Sequence, residues 1–286
     1  MGLARRHLLI SGAALPGWVA SAEPRALRIP QVSARAELPR SYPALLLAQA
    51  LAAAGLPVRL SQAREPIPQN RAFLALGREQ DGLDIVWSMT TVEREAQARP
   101  IRVPLFKGLF GWRLLLATPA LAEALRQVQT LDELRHHVLL QGQDWPDTAI
   151  LRANGLQVIG SPTYEAMFKQ LKLGRADAFP RSVEEIWWEQ ARHGSGLVVV
   201  PDLCLHYPAA VYFFVAPGNE TLATALELGL QRMRASGAFD RLFLKHHGED
   251  IARAQFGRRR VIRLVNPRLP PQTPLDRPEL WFQPAG

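Results

Sequence analysis

Asp84-Ile-Val-Trp-Ser-Met-Thr-Thr-Val-Glu-Arg94 is the stretch on which the reading of this chain turns. Asp84 to Trp87 reads as the end of a buried strand, and Thr91 as a helix N-cap. A strand that runs straight into a helix leaves backbone N–H groups pointing at the turn, where the helix dipole favours an anion. Arg94 falls in the first helical turn, where a cation is unfavourable if stability is the only concern. A guanidinium beside free N–H groups makes chemical sense as a fork that grips a carboxylate. The plainer reading is an arginine that pairs with Asp84 or extends into water.

Outward from this stretch the chain alternates strand and helix. Strands are expected at 27–30, 57–60 and 83–87, with helices at 42–55 and 70–77 between them. That order implies a mostly parallel sheet flanked by helices. A further strand follows at 110–117 (Phe-Gly-Trp-Arg-Leu-Leu-Leu-Ala). A second set of strands, 137–141, 157–159 and 197–200, alternates with helices at 149–154, 162–173 and 182–193, and reads as an inserted lobe. The pattern closes with a strand at 211–215, a long amphipathic helix at 219–236 and a short helix at 238–247. The expected domains are therefore a leader at 1–22, a first lobe at 23–115 and 205–256, a second at 116–204 and a Pro-rich strap at 257–286. Pro267, Pro270, Pro271, Pro274, Pro278 and Pro284 exclude helix and central strand from the strap, and Leu280, Trp281 and Phe282 make it an extended packed segment.

With 48% hydrophobic residues, the 286-residue chain can build a large core, and no apolar run approaches the roughly 18 residues of a membrane span. A single cysteine, Cys204, excludes an internal disulfide and a Cys-based metal cluster. Arg5-Arg6, the apolar run from Leu8 to Trp18 and Ala20-Ser21-Ala22 have the layout of an export signal, by the general or the twin-arginine route. Its removal takes the formal net charge from +8 to +6. The arginines are scattered apart from Arg258-Arg259-Arg260, with no aromatic-interleaved basic motif, so no nucleic-acid partner is expected.

Four stretches together resemble the family 3, amino-acid-uptake type of extracytoplasmic solute-binding protein. They are Thr91-Val-Glu-Arg94; Leu131-Asp-Glu-Leu-Arg with Val138-Leu-Leu-Gln-Gly142; the segment ending Leu173-Gly-Arg-Ala-Asp177-Ala; and Val211 to Gly248. The resemblance covers about residues 26 to 248. It implies an α/β, type II two-lobe fold with a mostly parallel sheet in each lobe and a ligand cleft between them. It also implies a hinged monomer in the periplasm that takes a small-molecule ligand and works with a membrane permease or a sensor receptor. The arginine of Thr-x-x-Arg holds a ligand carboxylate in that family, so Arg94 inherits the role, with Ser88, Met89 and Thr91 beside it. The hinge crossings are expected near 115–118 and 205–209.

Two departures bear on the ligand. Where amino-acid binders place an ammonium-holding Asp after Asp-Ala, this chain has Asp177-Ala-Phe-Pro-Arg181-Ser182; and Met89 stands where Ser or Thr is usual. Arg181 is then a second candidate cation for an anionic ligand, or an exposed partner of Glu184 or Glu185, while Ser182 also fits the N-cap of a capping box. The opposite wall is expected to include Gln141, Gly142, Trp145 and Thr148. Gly142 would let a ligand approach the backbone, Asp147 or Thr148 would cap the next helix, and Trp145 is either a stacking platform or core. Trp187-Trp188 is expected to pack the second lobe.

No catalytic, metal or cofactor site is expected. His136-His137 and His246-His247 are adjacent pairs whose side chains diverge. Two other readings of the same fold stay open: a ligand sensor feeding a membrane receptor, and a dehydratase-like enzyme using Glu93, Asp144 or Asp147 as acid or base.

Overall fold

The structure, a computed structural model, describes residues 24–31 and 41–284. The export signal expected over 1–22 lies outside the described residues. The chain opens with β1 (Arg25–Ile29), α1 (Tyr42–Ala53), β2 (Val58–Gln62), α2 (Gln69–Leu74), β3 (Ile85–Met89), α3 (Val92–Gln97) and β4 (Arg99–Ile101). It continues through β5 (Trp112–Ala117), α4 (Pro119–Arg126), α5 (Leu131–Leu134), β6 (Val138–Gly142), α6 (Pro146–Ala153), β7 (Gln157–Ser161), α7 (Tyr164–Lys172), β8 (Phe179–Ser182), α8 (Val183–His193) and β9 (Val198–Val199). It ends with β10 (Leu203–His206), β11 (Val211–Val215), α9 (Glu220–Ala235), α10 (Ala238–Ala254) and β12 (Arg260–Arg263).

In the first lobe β1 and β2 pair in parallel from Arg25 opposite Val58 to Ile29 opposite Gln62. The Asp84 N–H donates to the Arg28 carbonyl at 2.8 Å and sets β3 beside β1. β11 then lies antiparallel between β3 and β4. This apolar Val-Tyr-Phe-Phe-Val strand is buried along its whole length, as a central strand covered on both faces must be. α1 crosses α9 closely enough that a Cβ on Gly229 would sit 1.8 Å from the Ala50 carbonyl oxygen, so only glycine fits there.

In the second lobe β6 and β7 are parallel, and Leu140 N–H donates to Ala178 at 2.8 Å, bringing β8 alongside. β5 runs antiparallel to β8 on one side and to β10 on the other. β10 carries β12 in parallel at the sheet edge. The stretch where the crossing segments pair, Trp112–Arg113 against Leu205–His206, begins N-terminal to the first crossing expected from sequence.

Some local expectations need correcting. β8, which contains Pro180, is a strand where the sequence pattern places no element. α10 runs on through Gly248 to Ala254 and stops where Gln255 turns left-handed, at φ 48°. Trp187 is buried and also reaches α10, its indole N–H donating to the Asp250 carbonyl at 3.1 Å. The tail packs as expected, with Leu280 buried and Phe282 N–H donating to the Lys107 carbonyl at 2.6 Å. Among the described residues no helix is long and apolar enough to cross a membrane.

Candidate functional site

The turn after β3 forms one wall. Thr91 caps α3, its hydroxyl accepting the Arg94 N–H at 3.2 Å, and so sets Arg94 in the first turn. The Arg94 side chain is only 6% exposed, a burial that normally demands a carboxylate partner. It has neutral acceptors instead. One terminal nitrogen donates to Ser88 Oγ at 2.7 Å and to the Met89 carbonyl at 2.8 Å, and the other donates to Gln69 Oε1 at 2.9 Å. The guanidinium also lies over Phe73, 5.3 Å from the ring centre. Asp84, the alternative partner, accepts the Arg28 backbone N–H instead. Among the described residues no acid lies within ion-pairing distance of Arg94. Burial lowers its pKa to about 10, with Asp147 opposing and Arg268 adding to the shift, so it stays charged at neutral pH.

The second wall is built from the ends of β6, β8 and β5 and the start of α6. Arg113, on β5, is 2% exposed and bonds Asp147 at 2.5 Å, with Glu185 at 3.5 Å. Asp147 also accepts the Tyr207 hydroxyl. Arg181, on β8, makes a two-pronged contact with Glu189, Nε to one oxygen at 2.7 Å and a terminal nitrogen to the other at 2.6 Å, and meets Glu185 at 2.8 Å. Tyr164 donates to Glu189 at 2.8 Å. Burial alone would weaken the charge on Arg113 and Arg181, but their carboxylate neighbours outweigh it and raise both pKa values. Glu185 shifts upward, chiefly because burial disfavours its charged form.

The predicted residues therefore separate. Ser88, Met89, Thr91 and Arg94 form one cluster on the first wall. Arg181 belongs to the second, but it is neither exposed at a helix start nor an open cation: β8 buries it under Trp145, 4.8 Å from the ring, and two glutamates neutralise it. Ser182 accepts the Glu184 N–H and Glu185 accepts the Ser182 N–H, so the capping box is real. Gly142 does not open the backbone to a ligand, because a Cβ there would meet the Trp145 indole at 2.5 Å. Thr148 donates to the Gly142 carbonyl at 2.8 Å. Gln141 donates to the Pro180 carbonyl at 3.0 Å, and its own oxygen is buried with no partner among the described residues.

Sequence reading missed Arg113, Glu189, Tyr207 and Gln69. A signal existed for Arg113: one cation inside Phe-Gly-Trp-Arg-Leu-Leu-Leu-Ala has to be paired when that run is buried.

No protein-family model matches the sequence, and neither does any curated protein. Solved structures do match. A Salmonella typhimurium periplasmic binding protein of high arginine specificity is 14% identical, with 78% of this chain and 99% of that one covered at a TM-score of 0.57. The ligand-binding core of GluR0 from Nostoc punctiforme, in complex with L-glutamate, is 16% identical over 78% and 99% of the two chains, TM-score 0.54. An ancestral amino acid-binding protein, a precursor of cyclohexadienyl dehydratase, is 17% identical over 77% and 95%, TM-score 0.55. The chain thus carries the two-lobed, type II fold of amino-acid-binding periplasmic proteins, on a sequence 14–17% identical to these three.

Proposed function

We propose that this chain is an extracytoplasmic solute-binding protein that captures a small carboxylate-bearing solute between its lobes, for a membrane permease. The observation that carries the reading is Arg94, a buried guanidinium held in place by neutral acceptors, with no acid among the described residues within ion-pairing distance. Ser88, Met89, Gln69 and Thr91 fix its position before any ligand arrives, so little side-chain entropy is lost on binding. A ligand carboxylate supplies the missing charge.

The opposite wall narrows the solute. Asp147, Glu185 and Glu189 take up the charges of Arg113 and Arg181, so that side offers carboxylate oxygens and no open cation. Asp147 is near enough to Arg94 to act on its charge. A ligand with a carboxylate at one end and a cationic or donor group at the other complements both walls, which favours an amino-acid-like zwitterion over a diacid. The acid missing after Asp177 is then replaced by carboxylates from α6 and α8.

A thermal-shift screen of the mature protein against L-amino acids, dicarboxylates and short peptides tests this, since a ligand bound only by the folded state raises the melting point by mass action. The expected hit is a zwitterionic amino acid. A hit confined to dicarboxylates would remove the charge argument for the second wall, and turnover of a carboxylate substrate without any chemistry partner would favour the enzyme reading.

A further inference from the structure

We propose that the C-terminal strap is a third hinge segment that brakes the opening of the two lobes. In a two-lobed protein of this kind only the crossing segments limit how far the lobes swing apart. Here a further length of chain runs beside the second crossing. β12 pairs with β10 from Arg260 opposite Leu203 to Arg263 opposite His206. The same course continues past the strand, with Leu264 N–H donating to the His206 carbonyl at 2.8 Å and the Asn266 amide donating to the Pro208 carbonyl at 2.9 Å.

The strap is then fixed to both lobes. On the second lobe Asn154, the buried residue after α6, makes a two-pronged contact with the backbone of Val265: its amide nitrogen donates to the carbonyl at 2.8 Å and its oxygen accepts the N–H at 3.0 Å. On the first lobe the Arg268 carbonyl accepts the Val92 N–H at 3.2 Å, at the first residue of α3, and the Arg268 guanidinium meets Glu93 at 2.8 Å. Three peptide units separate Val265 from Arg268, a reach of at most about 11 Å. Pro267 stiffens them by fixing its own φ and holding Asn266 extended. The lobes cannot part at this edge beyond that reach without breaking one of the two attachments. α3 is also the helix that carries Arg94, so the brake acts on the wall that binds ligand.

The attachments act in series, which gives the test its form. Asn154→Ala releases the second-lobe end. Val92→Pro removes the N–H at the first-lobe end, at a helix position that accepts proline. Solution scattering on the ligand-free full chain should show a larger radius of gyration for either variant, and no further increase for the double variant. Hydrogen exchange at Val265 should speed up about 2- to 10-fold in Val92→Pro, although the substitution lies in the other lobe, as expected for loss of one net hydrogen bond. If both variants keep the wild-type radius, and Val265 exchange is unchanged in Val92→Pro, the strap is packing alone and the proposal fails. Since neither measurement uses a ligand, that failure would leave the assignment of Arg94 standing.

Discussion

Arg94 and Arg181 are both buried and both beside an aromatic ring, yet their charges are met in opposite ways. Arg181 has its charge spent inside its own lobe, on Glu189 and Glu185. Arg94 keeps its charge, held by a hydroxyl, a carbonyl and an amide oxygen. The lesson is that burial of a cation says little about function until its counter-charge is found. A paired guanidinium rigidifies a wall, and an unpaired one waits for an anion.

The largest expected effect breaks the paired side. Arg181→Ala strands Glu189, 2% exposed on its side chain, without its partner, and should cost about 3–5 kcal/mol of stability. Chemical denaturation measures it, and a loss below about 1 kcal/mol would mean that the network is not structural. Gly142→Ala comes next. Its Cβ would drive into the Trp145 indole, for an expected cost of about 1–3 kcal/mol read as a lower melting point.

A pH titration sharpens the comparison at the hinge. Burial lowers the His206 pKa from 6.5 to about 4, with Arg263 contributing, so the neutral ring is favoured in the folded state. The sign follows: this stability is complete above pH 6.5 and is lost as pH falls through about 4. Since the ring is partly exposed, we expect about 1–2 kcal/mol between those limits, and His206→Gln should flatten the dependence. The smallest effect is at Ser182. Ser182→Ala removes one N-cap acceptor from α8 and should cost about 1 kcal/mol in denaturant, while leaving the Arg181–Glu189 pair in place.

Apart from Gln69, the cluster around Arg94 is legible in the sequence because its determinants are local. Thr91 caps the helix three residues before Arg94, and the strand before it is apolar, so neighbours along the chain define the geometry. The second wall was not legible to the same degree. Arg113 meets Asp147 and Glu185 only after β5, β8 and α6 converge, and no spacing along the chain encodes that meeting. Arg181 illustrates this: in sequence it reads as an open cation or an exposed residue at a helix start, but β8 pairs Pro180 opposite Leu115 within the sheet and takes Arg181 inside. The sequence pattern ends α10 at His247, although the helix continues through Gly248 to Ala254. The Pro-rich tail was recognised as extended and packed, while its attachment to Asn154 and Val92 depends on side-chain and backbone groups far away in the chain.

The most direct test of the difference between the two arginines is calorimetric titration of Arg94→Ala with the amino acid that gives the largest thermal shift in the wild type, run beside its own unfolding curve. Arg94→Ala should fold and lose less stability than Arg181→Ala, about 1–2 kcal/mol, since its removal strands neutral acceptors and no buried acid. Its affinity should fall by about 30- to 1000-fold, the loss of one charge-assisted contact in a closed cleft. Wild-type affinity in that variant, or a collapse of its stability comparable to that of Arg181→Ala, would contradict the account.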